Sequence, residues 1–249
     1  MAKTIYKNAT YAHSFWRGCQ PVSEGCARCY ARRLVRRNGK VFETVGRNST
    51  WKDPFTWQRK AAMEGKVETV FTCALSDFFH PDADAWRREA WAVIKKCPNL
   101  IWQILTKRPH LIAKRLPKDW GEGYPNVWLG VTVELKKYLH RMDTLRKIPA
   151  SARFLCAEPL LEDLTPDIEQ HIEGFHWLMT GGECGKDYRP MDLQWARNLR
   201  DLCTRRNIAF YFIQRAAPVP HKGQRLDGRK HFKFPPAWDS YRQLVGVTC

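Results

Sequence analysis

Six apolar runs of strand length recur between residues 67 and 214, and no other feature limits the fold as tightly. They are VETVFTCAL (67–75), NLIWQIL (99–105), NVWLGVTV (126–133), ARFLCAE (152–158), FHWLMTGG (175–182) and IAFYFIQ (208–214). Each is rich in β-branched or aromatic residues and apolar almost throughout, the pattern of strands covered on both faces in parallel sheets. Helical periodicity fills the gaps. Residues 82–97 open on aspartates, place Trp86, Ala90, Val93 and Ile94 on one face, and stop before Pro98. Residues 191–207 do likewise with Leu193, Ala196, Leu199 and Cys203, and 108–116 and 134–145 read as shorter helices. Strand alternating with helix means βαβ units. With a first strand near residues 16–30, the expectation is an α/β fold: a partial (β/α) TIM-like barrel of six to seven parallel strands. An open doubly wound sheet is the alternative. A chain of 249 residues without a polar linker suits one domain over 1–249.

In either architecture chemistry gathers at the carboxyl ends of the strands. Those ends are polar here: Ser76 and Asp77; Thr106, Lys107 and Arg108; Thr132 and Glu134; Glu158; Gly181, Gly182 and Glu183; Gln214 and Arg215. Parallel strands would bring them to one mouth. Any one alone reads as a loop polar group or helix cap; six in succession read as a site. Asp77, Glu134 and Glu158 are the candidate catalytic acids or bases by position. The Gly181–Gly182 pair permits a close backbone approach.

The segment WRGCQPVSEGCARCY (16–30) carries Cys19, Cys26 and Cys29. Nine unevenly spaced cysteines argue against a disulfide framework. No run approaches the roughly 20 apolar residues of a membrane span, and the N-terminus lacks a signal-like apolar stretch. The expectation is a soluble cytoplasmic protein with reduced thiols and no membrane partner. A structural zinc would need a fourth ligand, and the nearby His13 falls on the strand side. Three thiolates on an iron–sulfur cluster would leave one iron open. Three unligated loop cysteines are the plain alternative.

The charge balance is 42 Lys+Arg against 25 Asp+Glu, a net +17, which favours a polyanionic partner. Around Cys29, Arg28, Arg32 and Arg36 share a helical face with Arg33 and Arg37 beside it, placed to hold phosphates or simply to be solvated. Trp51 and Trp57 lie among Arg47, Lys52, Arg59 and Lys60, a mixture that suits base stacking or core packing alike.

Together with these motifs, Leu75-Ser76-Asp77-x-Phe79-His80, Gln103–Pro109, Trp128–Glu134, Ala157-Glu158-Pro159-Leu160-Leu161, Gly181-Gly182-Glu183 and Arg189-Pro190-Met191 make the chain resemble the phage-type three-Cys-motif family of radical S-adenosylmethionine proteins. The resemblance implies a radical SAM barrel with a [4Fe–4S] cluster on Cys19, Cys26 and Cys29. It also implies S-adenosylmethionine on the open iron, an external electron donor, and a 5′-deoxyadenosyl radical that abstracts a substrate hydrogen. Cofactor contacts are expected at Tyr30, Ser76, Thr106, Lys107, Thr132, Gly181, Gly182 and Glu183.

The chain departs from the wider pattern in several places. The first cysteine gap is six residues rather than three. Arg28 stands where an aromatic residue usually precedes the last cysteine, with Tyr30 after it. Gly-Gly-Glu follows a late strand, and Ile213-Gln214-Arg215-Ala216 replaces Lys-Gln-Trp-Gly. Cys156 and Cys184, serines in relatives, would with Cys73 make a second cluster, a reactive thiol or small buried residues. The function expected is modification, isomerisation or repair of a nucleic-acid base or nucleotide, DNA above all, as in phage DNA hypermodification. The rivals are a nucleic-acid-binding protein with a structural zinc or iron–sulfur site, and a radical enzyme on a small phosphorylated metabolite.

Overall fold

The computed structural model describes residues 8–165, 167–220 and 223–246. In chain order the strands are β1 (Tyr11–His13), β2 (Trp16–Arg17), β3 (Gly46–Arg47), β4 (Glu68–Thr72), β5 (Leu100–Thr106), β6 (Val127–Thr132), β7 (Ala152–Ala157), β8 (Trp177–Thr180) and β9 (Ala209–Phe212). The helices are α1 (Tyr30–Arg37), α2 (Asp53–Met63), α3 (Asp84–Lys95), α4 (His140–Arg146), α5 (Leu193–Arg205) and α6 (Ala237–Leu244). All six apolar runs are strands, and β1 is the expected first one. Seven strands form one sheet in the order β1-β4-β5-β6-β7-β8-β9, and every pairing in it is parallel.

That order decides between the two architectures. A doubly wound sheet reverses direction at a switch point. Here each new strand adds to the same edge, as in a (β/α) barrel, and β1 does not pair with β9. The result is a partial barrel. The free edge of β9 is covered by residues 231–233, where Phe212 N donates to His231 O (2.8 Å) and Lys233 N to Phe210 O (3.3 Å), which hides an otherwise unpaired row of amides.

The alternation of strand side chains builds two cores. Trp102, Ile104, Leu129, Val131, Leu155 and Phe210 pack with the helices. Ile101, Trp128, Phe154, Trp177 and Tyr211 pack with Trp238 and Tyr241 of α6. Gly130 is needed here, because a Cβ would lie 2.2 Å from the Phe154 ring.

Three local expectations differ from the structure. Residues 108–116 form two 3₁₀ turns, Pro109–Leu111 and Ala113–Arg115; a segment this short, opening on proline, gains too few hydrogen bonds to nucleate a helix. Residues 134–145 divide into a 3₁₀ turn, Lys136–Tyr138, followed by α4. Helix α2 was not anticipated. Its core face is Pro54, Trp57 and Ala61, so Trp57 stacks on Tyr11 at 4.4 Å and both Trp51 and Trp57 are buried. They are core residues, not base-stacking surfaces. No helix among the described residues is long and apolar enough to cross a membrane.

Candidate active site

The cysteine loop lies across the carboxyl ends of the strands, and its two ends are held differently. At the Cys19 end, Gly18 adopts φ +92°, and a Cβ there would meet Thr44 O at 2.3 Å. Ser76 Oγ donates to Gly18 O (2.6 Å), and His80 Nε2 donates to Gln20 Oε1 while its Nδ1 accepts from Asp82 N (3.2 Å). Asp77 is buried and spends both oxygens. They accept from Thr106 Oγ1 (2.8 and 2.9 Å), Phe79 N (2.9 Å), Lys107 N (3.1 Å) and Arg108 Nη1 (3.3 Å). Arg108 carries this anchorage to the loop: Nη1 reaches Cys19 Sγ (3.4 Å) and Nη2 donates to Gln20 O (2.8 Å). Gln20 and His80 were not singled out as site residues from the sequence; Arg108 was read there only as one of the polar groups at a strand end, beside Thr106 and Lys107.

At the Cys26 end the anchors are Glu134 and Glu183. Glu134 is fully buried; it accepts from Ser23 Oγ and from Arg141 Nη1 (3.0 Å). A Cβ on Gly25 would stand 2.6 Å from its Oε1, so the loop packs directly on this carboxylate. Glu183 accepts from Arg189 N (2.8 Å), Nε (3.0 Å) and Nη2, and pairs with Arg28 Nη1 at 3.6 Å. Burial pushes its carboxyl up, but the Arg189 bonds and Arg28 outweigh that and hold it below the usual range. Arg189 Nη2 continues to Glu24 O (3.0 Å). Gly182 permits the close approach expected of it, since a Cβ would fall 2.3 Å from Ala216 N.

All three thiols line one central cavity with Tyr30, Thr106, Lys107, Thr132 and Glu158. It encloses ≈ 1020 Å³ of empty space, open mouth included. Cys19, Cys26 and Cys29 are free and half-buried. Burial pushes the Cys19 thiol up to about 11 against the opposing pull of Arg108, so binding a metal there releases a proton. Cys29 stands at the N-terminus of α1, the positive end of the helix dipole. Tyr30 OH donates to Ala74 O (2.8 Å). Among the described residues no three His, Cys, Asp or Glu groups stand at single-ion ligand spacing. Donor type, a shared cavity and the compensating charges of Lys107, Arg108 and the helix end nevertheless fit a thiolate-bound cluster.

Cys73 and Cys156 lie on the floor of this cavity, and burial raises both thiols. Cys184 opens instead onto two flanking spaces.

Lys107 and Glu158 stand apart from the anchored groups. Both are half-buried. Neither side chain has a hydrogen bond or ion pair among the described residues. Burial pushes the Glu158 carboxyl up to about 7 against the pull of Lys107. Burial pulls the Lys107 ammonium down, but Glu134 and the Cys26, Cys156 and Cys29 sulfurs outweigh it and the net shift is upward.

The arginine run divides by helix face. Arg32 Nε and Arg36 Nη2 converge on Glu43 at 3.5 and 2.8 Å. Arg33 and Arg37 point the other way into a cleft that also takes in Arg17, Lys40 and Arg47, with Asp53 the one acidic residue among the described residues that line it. Arg33 Nη2 donates to Cys184 O. Arg37 and Lys40 are exposed and have no partner among the described residues. Two buried nitrogens on the cleft wall, His13 Nε2 and Arg17 Nε, also lack one. Tyr30 and Ala74 belong to both cleft and central cavity, so the two spaces adjoin.

A family model described as "Protein of unknown function (DUF5131)" matches residues 3–235. No curated protein matches the chain. Several solved structures match at low identity, among them three of spore photoproduct lyase. One is a spore photoproduct lyase complexed with dinucleoside spore photoproduct: 12% identity, TM-score 0.53, over 80% of this chain and 62% of that one. The second is a double mutant of the lyase with bound AdoMet and the same dinucleoside: 12%, 0.52, 80% and 62%. The third is a tyrosine-to-phenylalanine mutant: 11%, 0.58, 85% and 78%. The chain thus spans 62% of the length of the first two. The likeness establishes the half-barrel fold.

Proposed function

The chain belongs to the DUF5131 family, and we propose that it is a radical S-adenosylmethionine enzyme acting on a nucleic-acid base or nucleotide. The observation that carries the reading is the meeting of three free thiols on one cavity at the strand ends, beside a basic cleft. A fold shared with a lyase crystallised with AdoMet and a dinucleoside supports it. Modification or repair of DNA, as in phage hypermodification, is the reaction class that best joins the cleft to the thiols.

Cys19, Cys26 and Cys29 would hold a [4Fe–4S] cluster, which with S-adenosylmethionine would supply a 5′-deoxyadenosyl radical for hydrogen abstraction. The chain's own residues do the rest. Asp77 and Arg108 fix the Cys19 end of the loop, and Glu134, Glu183 and Arg189 fix the Cys26 end, so the thiols keep their relative positions. Lys107 and Arg108 offset thiolate charge. Tyr30, Ser76, Thr106 and Thr132 wall the cofactor space and limit its water. Arg33, Arg37 and Lys40 bind phosphates, which position a strand without reading its sequence. Glu158 is the acid or base nearest neutrality.

The test is anaerobic reconstitution with iron and sulfide, then reductant and S-adenosylmethionine, with 5′-deoxyadenosine as readout. Cleavage in the intact protein and its loss in Cys26→Ala are expected. A colourless zinc protein that cleaves nothing would refute the reading in favour of a structural metal site.

A further inference from the structure

A third space lies between the central cavity and the basic cleft. It shares Cys29, Tyr30, Lys107 and Glu158 with the cavity, and Tyr30, Cys184 and Pro220 with the cleft. Its empty volume is ≈ 630 Å³, mouth included, too small for a duplex. We propose that this chamber receives the base of the reacting nucleotide, with Lys107 and Glu158 reading its polar edge. The proposal rests on the nucleic-acid reading above and adds where the base goes and what recognises it.

The unpaired state of Lys107 and Glu158 is the first reason. Among the described residues neither has a hydrogen bond or ion pair, whereas the neighbouring acids all have partners. Asp77, Glu134 and Glu183 are each held by arginine. Lys107 and Glu158 keep their hydrogen-bonding capacity for something that enters.

Their chemistry is the second. An ammonium only donates and a carboxylate only accepts. Lining one chamber, they match an edge that offers an acceptor next to a donor, as every nucleobase does on its Watson–Crick side, the side read when a base is taken out of the stack. A sugar phosphate presents no such planar edge. The wall suits a flat ring as well, with Tyr30, Pro159 and Pro220 around the space.

Position is the third. Phosphates held at Arg37 and Lys40 leave the base to turn inward past Tyr30 toward Cys29, where the chemistry would occur. The other charged or titratable groups around Glu158 are Cys29 and Tyr30, Cys156 and Cys184, the last two with raised thiols, and Glu183 and Arg28, which pair with each other.

Binding of two labelled single-stranded probes to the full-length protein at low salt tests this: hexathymidylate, and the same backbone with every base removed. Fluorescence anisotropy is the readout, so no turnover is needed. The intact protein is expected to prefer the base-bearing probe at least fivefold. Glu158→Ala should cut that preference to within twofold, with the abasic probe unaffected, and Glu158→Gln, which keeps an acceptor, should recover part of it. Arg37→Ala should weaken both probes alike. Equal binding of the two probes by the intact protein, or an undiminished preference in folded Glu158→Ala, overturns the chamber and leaves nucleic-acid binding standing. Should Glu158→Ala fail to fold, the glutamine variant decides: a full wild-type preference together with unchanged affinity refutes the assignment. Binding of neither probe refutes the nucleic-acid reading and the chamber with it.

Discussion

Charges around the mouth fall into two groups that look alike in sequence. Asp77, Glu134, Glu183, Arg28, Arg32 and Arg36 are anchored, each in a salt bridge. Glu158, Lys107, Arg37 and Lys40 have no such partner among the described residues. The anchored acids clasp the cysteine loop; the unpaired groups face open space. The difference teaches that an acid at a strand end is as often a fastener as a reagent. Fasteners are recognised by having their lone pairs spent on the protein itself.

Four measurements would break or sharpen that division. The largest effect is expected at Glu134. Glu134→Ala strands Arg141 as a buried unpaired charge and frees Ser23, at about 3–5 kcal/mol. For a chain of this size that lowers Tm by roughly 10 °C. A variant melting like the wild type would show that Glu134 is no anchor.

Asp77→Ala releases Arg108, Thr106 and two backbone amides, and an expected loss of about 2–3 kcal/mol should appear as a shifted urea midpoint. Iron bound per chain after reconstitution should fall as well, because the Cys19 end of the loop is no longer fixed. Unchanged iron would confine Asp77 to stability.

The two faces of α1 give the next test. The pair Arg33→Ala and Arg37→Ala should weaken single-strand binding about tenfold and reduce the salt slope by about 1 to 2. Arg32→Ala with Arg36→Ala should change the slope less, since both guanidinium groups are turned onto Glu43 and away from the cleft. Equal losses from both pairs would mean that the whole helix, not one face, meets the polyanion.

The smallest effect is the pH dependence of stability from Glu158. Its folded pKa, about 7, lies above the ordinary glutamate value, so the folded state holds a proton the unfolded state has lost. This contribution is fully present below about pH 4.5, declines as pH rises through 7, and is flat above. After solvent screening it is on the order of 1 kcal/mol. Melting across that range should show the decline in the wild type and not in Glu158→Gln. Parallel curves would remove Glu158 from the unpaired group.

How much of this was legible beforehand follows from the range of the interactions. Strands β4 to β9 are nearly continuous apolar runs, so a local pattern announced them. Helix α2 went unseen because its inward face is Pro54, Trp57 and Ala61, too sparse a stripe among charges to register as a period. The motif Leu75–His80 was visible as residues and silent as a device. Its meaning lies in Ser76, Asp77 and His80 meeting Gly18, Arg108 and Gln20, which are distant in sequence or on other elements. The arginine run was legible as charge, but its division between Glu43 and the cleft depends on where α1 begins and which way it faces.

The sequence alone determined the alternation of strand and helix, the placement of polar residues at strand ends, the three-thiol segment and the basic balance. Those are properties of short windows, set by side-chain periodicity and residue chemistry. Only the tertiary structure decided that the sheet winds one way into a half-barrel. It also decided which carboxylates are spent on cations, and that Lys107 and Glu158 stand unpaired between the thiols and the basic cleft. Those outcomes depend on contacts between residues tens of positions apart, where burial and partner supply decide whether a charge fastens the fold or stays available to a ligand.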